Sequence, residues 1–467
     1  MLLGYFKKTL QDKDLMKQCL TIAIPLMLQQ LIVASVNLID NLMVGELGDV
    51  AVSAVSSANR YYSIAQMAIN AIVVSSIIFL SQYNGADDRE HMRQSFRFSI
   101  ISSYLFVFIF FFFALFKSDF IIKFIINDKD IIQSGSDYLK IACFSYLPLG
   151  LSFPISNAMR STGDTKRPLF VSMISVVLNI IFDYCLIFGH FGLEPLGVKG
   201  AAIATIIVRF IEMFIYLLCI KHGDYHFKTR IIDLFRIEKD LIGKIIVKAI
   251  PLLINELLWS IGMTTTIKFY SYRGAVVNTA YSISATVADL FFILFAGMAS
   301  ATTVIVGTKL GANKIEEAKD SAYKLLCFSV YLSLIIAILM SSFTLVVPYL
   351  YSKVSKESLD LANQFLIVMS IFFILYMFNT QTYFILRTGG DTRNTMFMDS
   401  GFMWAFNIPL VYILAYHTNI PVLYVYAIGQ STDILKSIIA YRMIRKEKWA
   451  RNLTLADAWY NYLLGDN

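Results

Sequence analysis

Long apolar stretches alternate with short charged ones along the whole chain. An α-helix needs about 20 residues to cross the roughly 30 Å of bilayer hydrocarbon. Stretches of that length recur at 18–45, 52–82, 94–116, 130–158, 167–189, 195–221, 244–271, 277–309, 319–350, 357–386, 394–417 and 420–442. The pattern predicts twelve transmembrane helices and shows no periodic barrel strands. Inside the first stretch, ASVNLIDNLMVG at 34–45, Asp40 stands where its neighbours ask for lipid. A carboxylate is costly there, which points to a task.

Composition agrees. Hydrophobic residues make up 57% of the 467 and charged residues 16%, with a mean hydropathy of +0.63; soluble domains carry about 25% charged. The N-terminal MLLGYFKKTLQDKDLMKQ has no apolar core followed by a small-residue cleavage site, so no signal peptide is expected and the first span is retained. Five cysteines lie in or beside spans without CxxC spacing, which argues against a disulfide framework or a zinc site.

The chain repeats itself. AIPL at 23–26 recurs at 249–252, Gly48 corresponds to Gly274, and Gly85-Ala86 to Gly311-Ala312, all at an offset of 226; RSTGDT at 160–165 recurs as RTGGDT at 387–392 at 227. Each repeat holds an even number of spans, so both run in the same direction. The expected fold is an all-α integral membrane protein with twelve transmembrane helices in two pseudo-symmetric parallel six-helix bundles. Its parts are an N-lobe (1–221), a linker (222–243), a C-lobe (244–442) and a tail (443–467). The glycine-aspartate signatures read as helix stops and starts, glycine taking the left-handed residue and Asp or Thr capping the next helix.

If both termini share one compartment, 28 Lys/Arg fall on that side, 8 on the other and 4 within spans. The asymmetry puts both termini, the linker and the tail in the cytoplasm. The net charge of +7 then reports topology and contact with membrane lipids, and no nucleic-acid partner is expected.

Function is sought where the repeats differ. Asp40 corresponds to Thr266 and Asp183 to Leu410, so only the N-lobe carries this pair. Asn179 lies one turn from Asp183 on the same face, and Thr205 of the sixth span descends to a similar depth. Asp40, Asn179, Asp183 and Thr205 are therefore candidates for an all-oxygen site binding H+ or Na+. The other reading is structural, with Arg60 of the second span neutralising Asp40. Gln30, Asn37, Asn59, Gln66, Asn70, Glu256 and Asp289 outline a candidate substrate cavity. Glu256 and Asp289 either attract a cationic substrate or serve structure, through an interhelical contact with Lys268, a hydrogen bond or a polar bundle core. Asp399, and Arg209 with Glu212, read as packing pairs or interfacial groups.

The chain resembles the multidrug and toxic compound extrusion (MATE) family, through AIPLMLQQ, NLIDNLMVGELG, SQYNGADD, AMRSTGDTKRP, NIIFDYCLIFG, GAAIAT, AIPLLINELLW, VIVGTKLGANK and ILRTGGDTRNT in this order. The resemblance implies a plasma-membrane antiporter, not an enzyme, that exports organic, often cationic, amphipathic compounds by alternating access. The coupling cation, H+ or Na+, would be bound by Asp40, Asn179, Asp183 and Thr205. No cofactor and no firm metal site beyond Na+ there are expected, and the chain is taken as a monomer. No GxxxxGK[ST] loop is present to run ATP hydrolysis. The alternative is a lipid-linked oligosaccharide flippase of related architecture, which would be expected to need more intramembrane basic residues than Arg60, Arg209 and Lys268.

Overall fold

A computed structural model describes residues 2–126, 128–190, 192, 194–351 and 354–455, side chains of residues 2, 3, 36–38, 41 and 49 excepted. Among the described residues the chain is helical with no strand. The helices are α1 (Leu2–Gln11), α2 (Lys13–Gly45), α3 (Asp49–Gly85), α4 (Arg89–Ile125), α5 (Lys129–Ala142), α6 (Tyr146–Ser161), α7 (Lys166–Phe188) and α8 (Val198–His222). After the linker come α9 (Lys239–Ser271), α10 (Ala275–Gly311), α11 (Ile315–Ser342), α12 (Val347–Leu350), α13 (Lys356–Thr388), α14 (Thr392–Met396), α15 (Ile408–His417) and α16 (Val422–Arg445).

Ten helical stretches are long and apolar enough to cross a membrane, and they lie at ten of the expected positions. The protein is a multi-pass integral membrane protein. At the seventh and twelfth positions stand α9 and α16, of 33 and 24 residues. Both are long enough to span at 1.5 Å per residue. They are the more polar pair, because α9 carries Asn255, Glu256 and Lys268, and α16 carries Gln430, Asp433 and Lys436.

The repeat seen in the residues is repeated in the helices. Helices α2 and α9 have 33 residues each, α3 and α10 have 37 each, and both pairs begin 226 positions apart. The signature turns are alike too. Gly163 and Gly390 adopt φ of +92° and +79°. In each turn the next residue's amide bonds back five positions, Asp164 to Met159 and Asp391 to Leu386. That is the Schellman end of a helix, as expected of glycine there. Asp164 then accepts from the Arg167 amide at 3.2 Å, capping the first turn of α7.

Two compact units emerge: Pro25–Asn84 with Asp88–Ile246, and Met1–Ile24 with Gly85–Asp87 and Val247–Asn467. In the first, the linker folds back on its own bundle. Tyr225 donates to Asp164 at 2.5 Å, and Phe227, fully buried, meets Phe96 at 4.8 Å between ring centroids. In the second, α1 packs on α11 through Lys324, which reaches Asp12 at 2.7 Å, and through the Tyr5–Tyr323 ring pair. The segment after α16 also folds back. Trp449 is fully buried, and Asn452 donates to the Gly311 carbonyl at 3.2 Å.

Gly389 is what lets that segment dock. A Cβ there would lie 1.8 Å from the Trp449 carbonyl oxygen, a backbone atom with no side-chain freedom to yield. Gly389→Ala is therefore expected to cost about 1–3 kcal/mol by overpacking and to expose Trp449. Thermal unfolding in detergent followed by tryptophan emission reads both changes, and an unaltered midpoint with unaltered emission contradicts this account.

Candidate ion-coupling site

The first unit encloses a cavity of about 400 Å³ between α2, α3 and α5 to α8. Asp40, near the end of α2, and Asp183, in α7, both face it. The two carboxyls lie close enough to hydrogen-bond to one another when one holds a proton. Asn179, one turn before Asp183, donates its amide N–H to Asp183 Oδ2. Thr205 of α8 donates to the Ala201 carbonyl at 3.0 Å, which leaves the hydroxyl oxygen available as an acceptor or ligand. All four residues expected from the sequence to share a site line this one cavity.

Compensation for the acids is incomplete. Oδ1 of Asp40 and Oδ1 of Asp183 are buried and, among the described residues, accept no hydrogen bond. Arg60 is exposed on α3 and is not part of the cavity wall. The base that does reach the cavity is Arg209, and its guanidinium is engaged by Glu212 at 2.7 Å. Its charge still acts on Asp40 at longer range. Three acids and one base thus face the space, an excess of negative charge that a cation can neutralise. Carboxylate, amide and hydroxyl oxygens suit H+ or a hard cation and not a soft metal. Among the described residues, no cluster of three or more His, Cys, Asp or Glu is arranged to hold a metal ion.

The other expected residues are distributed. Asn59 lines the cavity, and so does Ser63, one turn further along α3. Gln66 accepts from the Tyr62 hydroxyl at 3.0 Å, and neither it nor Asn70 contributes to the wall. Gln30 is exposed; its neighbour Gln29 is buried, donating to Ser172 at 2.5 Å and accepting from Arg160 at 3.0 Å. The Asn37 side chain lies outside the described residues. In the second unit Glu256 is half-buried within the influence of Arg387 and Asp399, whereas Asp289 and Lys268 are exposed.

The second unit handles its acids differently. Lys436 of α16 donates to Asp399 at 2.8 Å, and Asn255 of α9 donates to it at 3.2 Å. Asp399 sits in the π-helical turn Phe397–Gly401 between α14 and α15, followed by a second such turn at Met403–Asn407. The wider turn frees the Ser400 backbone N–H to bond to Asn255 Oδ1 at 3.2 Å. Asp399 is thus held in an ion pair that its own bundle supplies.

Sequence reasoning placed Arg209 and Glu212 outside the site, and it missed Tyr138, which is buried against the cavity. A signal for the pair existed. Thr205, Arg209 and Glu212 step by four and three, which puts them on one face of α8.

Comparison with known proteins gives the arrangement a lineage. The MatE family model matches residues 25–185 and again 251–413, together more than half of the chain and in register with the internal repeat. The chain belongs to the MatE family. This is a family of membrane transporters, not of enzymes. Among curated MatE relatives, the chain is 23% identical over 434 residues to the probable multidrug resistance protein YoeA of Bacillus subtilis (strain 168), covering 91% of this chain and 93% of that one. It is 22% identical over 450 residues to the probable multidrug resistance protein NorM of Thermotoga maritima, covering 95% of each. Solved structures share the MatE fold. The crystal structure of MATE in complex with MaL6 superposes with a TM-score of 0.83 at 18% identity over 92% of this chain and 97% of that one. A MOP superfamily transporter from Pyrococcus furiosus Vc1 gives 0.82 at 19% identity over 92% and 96%.

The Arg209–Glu212 pair sets a stability test for this MatE member. Glu212→Gln leaves the Arg209 charge without its partner beside the cavity and is expected to cost about 1–3 kcal/mol, discounted for the partial exposure of Arg209. Adding Arg209→Gln is expected to recover most of that loss. Melting midpoints of the two single variants and the double variant decide it, and additive losses count against the pairing.

Proposed function

We propose that this MatE transporter is an antiporter, exporting organic, amphipathic, often cationic compounds in exchange for H+ or Na+ moving inward. One observation carries the reading: two adjacent carboxyls, each with a buried oxygen that accepts no hydrogen bond from the described residues, face a cavity where the base that lines it is already engaged. A permanently structural acid in hydrocarbon is expected to be matched by a base, as Asp399 is by Lys436.

In this reading the cation enters from outside and is held by Asp40 and Asp183, with Asn179 and Thr205 completing the oxygen shell. Its binding relieves the repulsion between the two carboxylates, so it favours whichever state of the transporter brings them closest. Substrate binding favours the other state, and the difference in affinity between the states converts the ion gradient into export. The names of the curated relatives, multidrug resistance proteins, support small organic substrates. Charge asymmetry supports cytoplasmic termini in the plasma membrane, and the chain is taken to act as a monomer. An acid-rich cavity supports a cation over the pyrophosphate of a lipid-linked oligosaccharide.

The test is efflux of a cationic dye from vesicles reconstituted with the protein and carrying an imposed H+ or Na+ gradient. Asp40→Asn and Asp183→Asn are each expected to reduce efflux to the level seen without a gradient, at unchanged insertion. Thr205→Ala, losing one neutral ligand worth about 1 kcal/mol, is expected to weaken apparent ion affinity about fivefold. Full gradient-driven efflux by either aspartate variant removes the coupling assignment.

A further inference from the structure

A second cavity, of about 910 Å³, lies at the linker end of the first unit, between the start of α4 and residues 224–238. Helix α4 runs 28 residues from Arg89 to a kink at Lys117, about 42 Å at 1.5 Å per residue, against roughly 30 Å of hydrocarbon. Its first turns therefore project from the apolar layer. They present Arg89, Arg93 and Arg97 at intervals of four, on one face, and all three line the cavity.

Arg97 is only 6% exposed and organises the site. Its Nε donates to Thr229 at 2.7 Å, and Nη1 donates to the Arg236 carbonyl at 2.9 Å and to Glu90 at 3.0 Å. The linker is thereby pinned across the start of α4 and the cavity is held open. Six Lys or Arg and four Asp or Glu line it. Glu90 is taken up by Arg97, and Asp233 by Arg236 at 2.7 Å. The surplus charge facing the space is positive.

Beside this basic cavity the linker exposes three large apolar side chains: Ile231 at 89%, Ile232 at 85% and Phe235 at 82%. They lie within a few residues of Lys228, Arg230 and Arg236. Apolar groups flanked by basic ones, next to the end of a membrane span, match the boundary between acyl chains and headgroups. A ligand complementary to both features is an anion with an apolar tail.

We propose that the linker and the start of α4 form a binding site for an anionic phospholipid of the leaflet on that side. Its phosphate enters the cavity lined by Arg93, Arg97 and Arg230, and its acyl chains run beside Ile231, Ile232 and Phe235. The site is separate from the ion-coupling cavity, and its occupancy does not depend on which ion or solute is carried.

The full chain in nanodiscs of equal phosphatidylglycerol and phosphatidylcholine, ejected into a native mass spectrometer, reports which lipid stays bound. Phosphatidylglycerol is expected to be retained in preference. Lys228→Gln and Arg230→Gln, both exposed and tolerant of substitution, are expected to lower that preference about fivefold each. Phe235→Ser is expected to lower retention as well, and soluble glycerol phosphate is expected not to displace the lipid. Equal retention of the two lipids, a preference unchanged by these variants, or displacement by glycerol phosphate alone overturns the proposal.

Discussion

A charge placed in hydrocarbon must be compensated, and how each charge is compensated organises this protein. Lys436 lies against Asp399, Glu212 against Arg209, and Arg160 donates to Gln29. Each arrangement joins neighbouring turns or neighbouring helices of one bundle and fixes their rotation. Asp40 and Asp183 break the pattern, because each has a carboxyl oxygen that is buried without a donor among the described residues. Leaving a buried acceptor unmet costs about 1–3 kcal/mol, more for a charged one.

The duplication explains how one bundle came to carry that cost without the other. The first two spans of each repeat keep the same lengths, and both repeats keep the same glycine-aspartate turns. The differences fall on polar side chains. Where the first unit has Asp183 in a regular helix α7, the second widens its equivalent span into π-helical turns and binds its own acid, Asp399, to a lysine. The scaffold is common to both units, and the chemistry was divided between them.

Each unit also closes its end with the segment that follows its last span. Tyr225 and Phe227 seat the linker on the Asp164 turn and on α4, and Trp449 seats the following segment on the Gly389 turn. The contacts differ in chemistry, a phenol on a carboxylate in one and an indole-bearing backbone against a glycine in the other. The mechanical result is alike, since the turn between the fourth and fifth spans is held from outside the bundle in both units.

Much of this was legible in the sequence. Span length and position follow from local hydropathy, and the repeat from identities at a fixed offset. Left-handed turns follow from glycine, so the ten apolar spans, two copies and the Schellman ends needed no tertiary information. The convergence of Asp40, Asn179, Asp183 and Thr205 could be anticipated because depth along a helix is a simple count of residues at 1.5 Å each. Rotation about the helix axis is a different matter. It is set by packing against neighbouring helices, and the residues of a single span do not encode it. That is why Arg60 on α3 turned away from the acids while Arg209 on α8 came to their cavity, and why Gln29 is buried where Gln30 is not. Two more features belong to the tertiary structure alone: helix α1, which reads in the sequence as a charged N-terminal stretch and packs against α11, and the linker cavity, which needs Arg97 to reach residues more than a hundred positions away.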